Sequence, residues 1–253
     1  MGISFLNKEI RNPIYAIYGF VRFADEIVDT FHDYDKLNLL NKFEQETFQA
    51  IEEKISLNPI LNSFQFAVNK YNIDLDLVTT FLNSMKMDLQ KELYSQLEYE
   101  KYILGSAEVV GLMCLKVFVK GDVEMYNKLK FNAMRLGSAF QKINFLRDLN
   151  DDYKQLGRTY FPGVDLSQFD ESTKKLIEKD IEKDFLDGYL GIKMLPKNAS
   201  FGVYIAYVYY NKLFKKIQKT TPAVILKQRV RLSNEKKYFL FVRTYLKHSL
   251  NLI

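Results

Sequence analysis

The sequence contains few of the residues that interrupt helices. Its 253 residues include 5 prolines and 11 glycines, and no stretch alternates between apolar and polar residues as half-buried strands do. Because proline and glycine mark turns and helix ends, their scarcity favours long helices joined by short connections. We therefore predict an all-α fold, with residues 1–253 forming a single domain whose helices surround a central cavity.

Cysteine and long apolar runs are scarce as well. The single cysteine, Cys114, excludes an intrachain disulfide and indicates a reducing compartment; we expect it to be a small core residue. No apolar run reaches the ~18 residues that a membrane-spanning helix needs, so residues 109–119 and 203–210 are interpreted as buried helices. Since no secretory signal opens the sequence, we expect a cytoplasmic protein.

The chain carries no strong charge of either sign. Its formal net charge of +5 is a weak indication of an anionic partner, such as a diphosphate or an anionic membrane surface. Neither a known nucleic-acid-binding motif nor a long basic run is present, so we expect no nucleic-acid partner. The sequence does not indicate an oligomeric state.

Basic residues are concentrated in the last predicted helix, where they alternate with aromatic residues and leucines. One interpretation is a core helix with a solvated basic face, and the other is a peripheral contact with the inner membrane. The basic residues concerned are Lys236, Lys237, Arg243 and Lys247.

The few residues that interrupt or cap helices indicate where the expected helices begin and end. Pro13 suits the first turn of a helix, Asp35 can cap the next one, and Asn58-Pro59 marks a break. Gly105 and Gly111 lie inside an apolar helix, where small residues let another helix or a ligand approach the backbone. The expected boundaries are Pro13 to Asp29, Asp35 to Ile55, Pro59 to Tyr71, Asp74 to Tyr94, Glu98 to Val119, Asp122 to Asp152, Ser172 to Leu195, Asn198 to Lys219 and Ser233 to Leu250.

The stretch from residue 141 to 152 places polar groups on one helical face. Its members follow at steps of three and four, which align on a helix, and Arg147 lies beside them. These residues are Gln141, Asn144, Asp148 and Asp152. Carboxylates one turn apart repel each other, so such a pair suits either a solvated face or a cation. Mg²⁺ takes oxygen ligands and typically uses one or two carboxylates together with substrate phosphates.

A second stretch has the same character. Tyr18, Arg22, Asp25 and Asp29 follow at steps of four, three and four, which again sets an acidic pair beside an arginine. The spacing alone is weak evidence, because Asp-x-x-x-Asp occurs four times in the chain and a solvated face explains any one of them. The pair at 180 and 184 lies in the charged run 174–187, which we predict to face solvent.

At these residues the sequence resembles the squalene/phytoene synthases. Arg-x-x-Asp-x-x-x-Asp at 22–29 and Gln-x-x-Asn-x-x-Arg-Asp-x-x-x-Asp at 141–152 look like the two signatures of that family. The second is followed by Gly-Arg-Thr-Tyr-Phe-Pro at 157–162. Further matches occur at residues 15–18, 105–113, 209 and 229–230, so the resemblance covers nearly the whole chain in the right order.

The resemblance implies a fold and a set of site residues. The expected fold is an isoprenoid-synthase-like helical bundle around a cavity. The expected metal ligands are Asp25, Asp29, Asp148 and Asp152, holding Mg²⁺ or, as an alternative, Mn²⁺. Tyr18 and Tyr209 are expected near the reaction centre. The expected substrate-binding residues are Arg22, Tyr102, Gln141, Asn144, Arg147, Arg158 and Arg229.

The resemblance also implies a reaction. Members of the family join two prenyl diphosphates head to head through a cyclopropyl diphosphate. The residues around both signatures look most like those of bacterial phytoene synthases. We therefore predict that two geranylgeranyl diphosphates give phytoene, the first step of carotenoid biosynthesis, and that the reaction does not use NADPH. The alternative is a C30 dehydrosqualene or squalene synthase that uses farnesyl diphosphate.

Two departures and two other classes of protein bear on this prediction. Leu104 stands where the family often has tyrosine, and Met1 lies about 20 residues after the usual start of the family, so we expect a less shielded site. A chain-elongating prenyltransferase or class I terpene cyclase would need Asp-Asp-x-x-Asp, which is absent. A non-catalytic helical protein would not need arginine and amide neighbours at both acidic pairs.

Overall fold

The computed structural model describes residues 2–90, 94–156, 160–165 and 168–249, without the side chains of residues 151–156, 242 and 245–249. Within these ranges the chain is helical and contains no strand, which confirms the all-α prediction. The helices are α1 (Lys8–Asp29), α2 (Lys36–Glu53), α3 (Pro59–Tyr71), α4 (Leu75–Gln90), α5 (Gln96–Ile103), α6 (Val109–Phe118), α7 (Val123–Leu156), α8 (Glu171–Met194), α9 (Lys197–Gln218), α10 (Pro222–Ile225) and α11 (Asn234–Ser249). A 3₁₀ turn at Gly2–Phe5 precedes α1, and a π-helical turn at Leu104–Glu108 joins α5 to α6.

Side-chain caps define several helix starts. Asp35 accepts a hydrogen bond from the backbone N–H of Asn38 at 3.0 Å, and Asn58 accepts one from the N–H of Ile60 at 3.0 Å. These contacts satisfy backbone donors that have no partner within the helix. The predicted starts of α2 and α3 are therefore correct.

Other predicted boundaries are wrong. Pro13 lies inside α1 rather than in its first turn, because the side chain of Asn7 accepts from the N–H of Glu9 and starts the helix earlier. Tyr94 is not helical; it precedes Ser95, which forms a capping box with Glu98 at the start of α5. Helix α10 was not predicted.

The charged run in α8 is partly buried, contrary to the prediction that it faces solvent. Asp184 is 3% exposed at its side chain and accepts from Ser138 at 2.7 Å and from Lys142 at 2.7 Å. Arg135 of α7 also donates to it at 3.2 Å. Because α7 carries these donors on the face that packs against α8, the acid is paired instead of solvated. Asp180 remains exposed and contacts Lys142.

Helices α1 and α7 start at the same end of the molecule. Lys120, in the turn before α7, forms an ion pair of 2.6 Å with Glu9 in the first turn of α1. The C-terminal halves of both helices, which carry the acidic stretches, therefore lie away from that end. Between α1 and α3, Phe20 stacks on Phe64 with ring centroids 3.9 Å apart, and this aromatic packing holds the two helices together.

None of the helices in the described ranges is both long and apolar enough to cross a membrane. On α11, Tyr238 and Phe239 are exposed and follow Lys236 and Lys237 directly in the sequence. Contact of this helix with a membrane stays a prediction.

Candidate active site

An apolar cavity of about 520 Å³ lies between the 3₁₀ turn and helices α1, α6, α7, α8 and α9. One stripe of α7 forms much of its wall, with Leu129, Ala133, Leu136 and Phe140 at helical spacing. Cys114 of α6 was predicted as a core residue, but it is only half-buried and lines the cavity. A cavity of this size and character is typical of a site for a small apolar ligand.

Two of the residues singled out from the sequence line this cavity, namely Tyr18 of α1 and Gln141 of α7. Asp25 and Asp148 each come seven residues later on the same helix. Seven residues are two helical turns, or about 10 Å along the axis. Each helix therefore presents a contact with the apolar cavity and then, two turns farther on, a carboxylate.

The acidic face of α1 is held by Arg22. Its guanidinium donates to Asp25 at 3.2 Å and also contacts Glu26, which in turn accepts from Thr30 at 2.6 Å. Although 42% of the Asp25 side chain is exposed, desolvation by the surrounding protein raises the pKa of Asp25 to about 6, and the charge of Asp29 adds to this rise. Arg22 opposes the rise but does not cancel it.

The carboxylate of α7 is held by two arginines. Arg147 donates from Nε to Asp148 at 2.8 Å and makes a second bond through a terminal nitrogen. Arg229, from the segment after α10, donates to the same carboxylate at 2.9 Å. Burial opposes the charge of Arg147, yet pairing with Asp148 raises the pKa of the guanidinium.

A cluster around Asp88 connects the two acidic helices. Asp88 belongs to α4, which packs on α1 through the rings of Phe81 and Phe20, 5.4 Å apart, and its charge adds to the raised pKa of Asp25. Asp88 accepts a hydrogen bond from Tyr160, and the Tyr160 ring stacks on Phe145 at 4.0 Å. Phe145 lies three residues before Asp148 on α7. Through α4, Asp88 therefore connects α1 with the part of α7 that carries the second acidic stretch.

Tyr210 of α9, which the sequence did not single out, contacts the polar face of α7. It lines the cavity, and its hydroxyl donates to Asn144 at 3.3 Å. Tyr209 lines an adjoining cavity of about 370 Å³ between α9 and α11, which Tyr210 also lines. Because Tyr209 also contributes to the raised pKa of Arg147, its expected place near the reaction centre stays a prediction. The helical spacing of Val203, Ala206 and Tyr210 could have identified the face of α9 that lines the main cavity.

The other predicted residues have different outcomes. The ring of Tyr102 is buried, and its hydroxyl donates to Asp88 at 2.6 Å; it is not among the cavity-lining residues. Arg158 and the side chain of Asp152 lie outside the described residues. The role of Asp29 stays a prediction. Asp88 and Glu26 were not anticipated, because neither belongs to an Asp-x-x-x-Asp pair.

The carboxylates of the site suit a hard cation whose remaining coordination positions are filled by a bound ligand. Among the side chains that the structure describes, no three His, Cys, Asp or Glu groups lie close enough to hold a metal ion by themselves. Mg²⁺ is commonly bound by one or two protein carboxylates, with phosphate oxygens of the substrate as further ligands. Asp25, Asp29 and Asp148 are therefore chemically suitable for Mg²⁺ held together with a diphosphate.

Comparison with known sequences supports the resemblance. Residues 1–236 match the family model for squalene/phytoene synthase. The 4,4'-diapophytoene synthase of Staphylococcus haemolyticus is 27% identical over 196 residues, covering 74% of this chain and 64% of that protein. The chloroplastic phytoene synthase 1 of Solanum lycopersicum is 25% identical over 240 residues, covering 86% of this chain and 57% of that protein. The chain thus spans less than two thirds of the length of either relative.

Solved structures share the fold. A dehydrosqualene synthase superposes with a TM-score of 0.82 at 21% identity, covering 98% of this chain and 90% of that chain. A squalene synthase from Alicyclobacillus acidocaldarius gives 0.74 at 21% identity, covering 86% and 87% of the two chains. The predicted isoprenoid-synthase-like bundle is confirmed, and since the family model matches most of the sequence, the chain belongs to the squalene/phytoene synthase family.

Proposed function

We propose that this protein is a Mg²⁺-dependent prenyltransferase that joins two prenyl diphosphates head to head. The observation that carries the proposal is the arrangement of two carboxylate–arginine clusters, one on α1 and one on α7, beside one apolar cavity. The clusters provide groups for the charged end of a prenyl diphosphate, and the cavity accommodates the apolar chain. Mn²⁺ is an alternative metal with the same ligand preference.

The charged residues would bind and orient the diphosphates. Arg22, Arg147 and Arg229 can present guanidinium forks to phosphate oxygens, after exchanging part of their present contacts with Asp25 and Asp148. The bound Mg²⁺ would neutralise the charge of the departing diphosphate. Gln141 and Asn144 provide amides for the same end of the substrate.

The apolar residues would protect the reactive prenyl group. Ionisation of an allylic diphosphate leaves a carbocation, which water captures unless it is excluded. Tyr18, Phe140 and Tyr210 line the cavity with aromatic rings, and the faces of such rings are attracted to positive charge. The cavity wall therefore combines exclusion of water with rings that tolerate a cation.

For the substrate, we propose two geranylgeranyl diphosphates, which give phytoene through a cyclopropyl diphosphate, with loss of a proton and without NADPH. Sequence similarity to plant phytoene synthases supports this choice. The second candidate is the C30 reaction of farnesyl diphosphate, which is favoured by the similarity to a diapophytoene synthase.

Separate incubations with labelled geranylgeranyl and farnesyl diphosphate test the proposal. Each is run with Mg²⁺, with and without NADPH, and the hydrocarbons are separated by chain length. We expect a C40 hydrocarbon from geranylgeranyl diphosphate whose yield does not depend on NADPH. A C30 product alone would favour the second candidate, and the absence of hydrocarbon from both substrates would reject the proposed function.

A further inference from the structure

A buried carboxylate with three tyrosine partners lies between the acidic helices. Asp88, near the end of α4, is 7% exposed. It accepts from the hydroxyl of Tyr102 at 2.6 Å, from Tyr94 at 2.8 Å and from Tyr160 at 3.4 Å. The proposed function does not by itself account for this cluster.

The cluster combines hydrogen bonds with ring packing. Hydrogen bonds to an ionised carboxylate are about twice as strong as neutral ones, and they are strongest when short, as the bond from Tyr102 is. The rings also pack on one another, with centroids of Tyr102 and Tyr160 5.2 Å apart and those of Tyr94 and Tyr160 5.5 Å apart. Burial together with the charge of Asp88 raises the pKa of Tyr102 well above its ordinary value, so this phenol stays a donor.

Two contacts extend from the cluster to the walls of the candidate active site. The backbone carbonyl of Tyr102 accepts from the hydroxyl of Ser106 at 2.7 Å, and Ser106 lines the cavity within the π-helical turn. On the other side, Tyr160 stacks on Phe145 of α7 at 4.0 Å. On the side of α1, the helix that carries Asp88 packs through the ring of Phe81 on that of Phe20, with centroids 5.4 Å apart. One carboxylate is thus connected to the cavity wall, to α7 and, through α4, to α1.

We propose that Asp88 is a positioning residue, which sets the placement of the α7 carboxylate face relative to α1 by holding the hydroxyls of Tyr102 and Tyr160. This inference rests on the proposed function and adds a residue to its site. A displacement of about 1 Å between catalytic groups can lower a rate about a hundredfold. The spacing between the two acidic helices should therefore depend on this carboxylate.

The first test is Asp88→Asn, a change that preserves side-chain size. Tyr102 donates to one carboxylate oxygen of Asp88, whereas Tyr94 and Tyr160 donate to the other. An amide has one acceptor oxygen instead of two, so one of these two sets of hydrogen bonds is lost. We expect kcat to fall by about 10- to 100-fold, with KM changed by less than about threefold because the apolar cavity is retained. We also expect Mn²⁺ to bind about tenfold more weakly in the presence of inorganic diphosphate, which electron paramagnetic resonance of free Mn²⁺ measures without catalysis.

A second variant covers the case in which Asp88→Asn does not fold. Tyr102→Phe keeps the ring but removes the shortest hydrogen bond of the cluster, and it should weaken Mn²⁺–diphosphate binding in the same direction by a smaller factor. Thr47→Val is the matched control. Thr47 is fully buried in α2, where its hydroxyl donates to the carbonyl of Phe43 at 2.6 Å. Its replacement should lower thermal stability while leaving kcat and Mn²⁺ binding unchanged.

The outcomes separate this inference from the proposed function. If the unaltered protein forms hydrocarbon and binds Mn²⁺–diphosphate, and folded Asp88→Asn or Tyr102→Phe does both equally well, the positioning role is rejected and the function stands. If Thr47→Val weakens Mn²⁺ binding as much as these variants do, the effect is one of general destabilisation and the role is also rejected. If the unaltered protein neither forms hydrocarbon nor binds Mn²⁺–diphosphate, the proposed function fails and this inference fails with it.

Discussion

At the scale of single residues, the candidate site is a set of charges that already have partners. Asp148 is bound by Arg147 and Arg229, and Asp25 is bound by Arg22. Charged groups held in this way are placed before a ligand arrives, which lowers the cost of ordering them on binding. The same residues can then pair with the cations and anions of a metal–diphosphate ligand.

We expect Asp148→Asn to lose at least a hundredfold in kcat, because a carboxylate that we propose as a metal ligand is replaced by a neutral amide. Its far-ultraviolet circular dichroism should match that of the unaltered protein. Asp76→Asn, on the exposed first turn of α4, is the control and should keep full activity. Full activity of Asp148→Asn in Mg²⁺ would contradict the assignment.

The raised pKa of Asp25 predicts a pH-dependent cost to stability. In the unfolded chain its pKa is near 3.8, whereas in the folded protein it is about 6, so ionisation opposes folding. This cost is fully present above about pH 6 and disappears as the pH falls towards 4. After allowance for solvent screening of a side chain that is 42% exposed, we expect it to be about 1 kcal/mol.

The variant Asp25→Asn tests this cost. It should be inactive but should melt about 2–4 °C higher than the unaltered protein at pH 8, and the difference should narrow towards pH 4. Calorimetry at both pH values measures it. A melting temperature at pH 8 that is equal or lower would show that Asp25 ionises in the folded protein without cost.

Tyr210 and Tyr209 are neighbours that allow a paired comparison. We expect Tyr210→Phe to lower kcat/KM about fivefold, because it removes the hydroxyl that donates to Asn144, and such a bond contributes about 1 kcal/mol. Tyr209→Phe should have a smaller effect, since Tyr210 lines the main cavity whereas Tyr209 is not among its lining residues. Steady-state kinetics of the two variants measure both losses. A larger loss for Tyr209→Phe would contradict this ranking and favour the residue predicted from the sequence.

The sequence predicted those site residues that share a helical face, and it missed those that tertiary packing brings in. The spacing of Tyr18 and Asp25 or of Gln141 and Asp148 is local, so it can be read from the chain alone. Asp88 is 63 positions from Asp25, and only the packing of α1, α4 and α5 brings it near. No local pattern distinguishes it from any other helical aspartate.

At the scale of helices, close approach explains the glycine at the start of the π-helical turn. A Cβ added at Gly105 would lie 2.5 Å from Cβ of Ser84 and 2.8 Å from the carbonyl oxygen of Thr80. We expect Gly105→Ala to destabilise the protein by about 1–3 kcal/mol, because α4 and the turn must separate. Denaturant titration gives the free energy of unfolding.

A second glycine provides the control. A Cβ at Gly19 in α1 would meet only a methyl group of Ile60, at 3.9 Å. Gly19→Ala should therefore stabilise the protein by about 0.5–1 kcal/mol, since alanine loses less conformational freedom in a helix. Equal effects of the two substitutions would mean that crowding at Gly105 is relieved by adjustment of α4.

Helix starts with a polar cap were predictable, whereas the burial of charge was not. Asp35 and Asn58 accept from the first turns of their helices, as their positions indicated. Asp184 belongs to a run of charges that is typical of a solvated face, and its burial depends on Arg135 and Lys142, about 40–50 positions away. Composition alone cannot show such pairing.

At the scale of the whole molecule, the depth of the cavity relates to substrate length. Ala133 lines the wall of the cavity eight residues before Gln141, which places it about 12 Å deeper along α7. We expect Ala133→Phe to lower kcat/KM for geranylgeranyl diphosphate at least tenfold more than for farnesyl diphosphate, because the added ring shortens the space for the longer chain. Parallel kinetics with both substrates measure the ratio, and an unchanged ratio would show that this position does not limit chain length.

The central claim is that two prenyl diphosphates react with each other at one site. The most direct measurement is the ratio of products from labelled geranylgeranyl diphosphate in Mg²⁺, with the released diphosphate and the C40 hydrocarbon counted in the same reaction. A head-to-head condensation consumes two substrates and releases two diphosphates for each hydrocarbon, so we expect a ratio of about two, and no hydrocarbon in the presence of EDTA. Release of diphosphate with prenyl alcohol as the sole organic product, or hydrocarbon formation that continues in EDTA, would contradict the account.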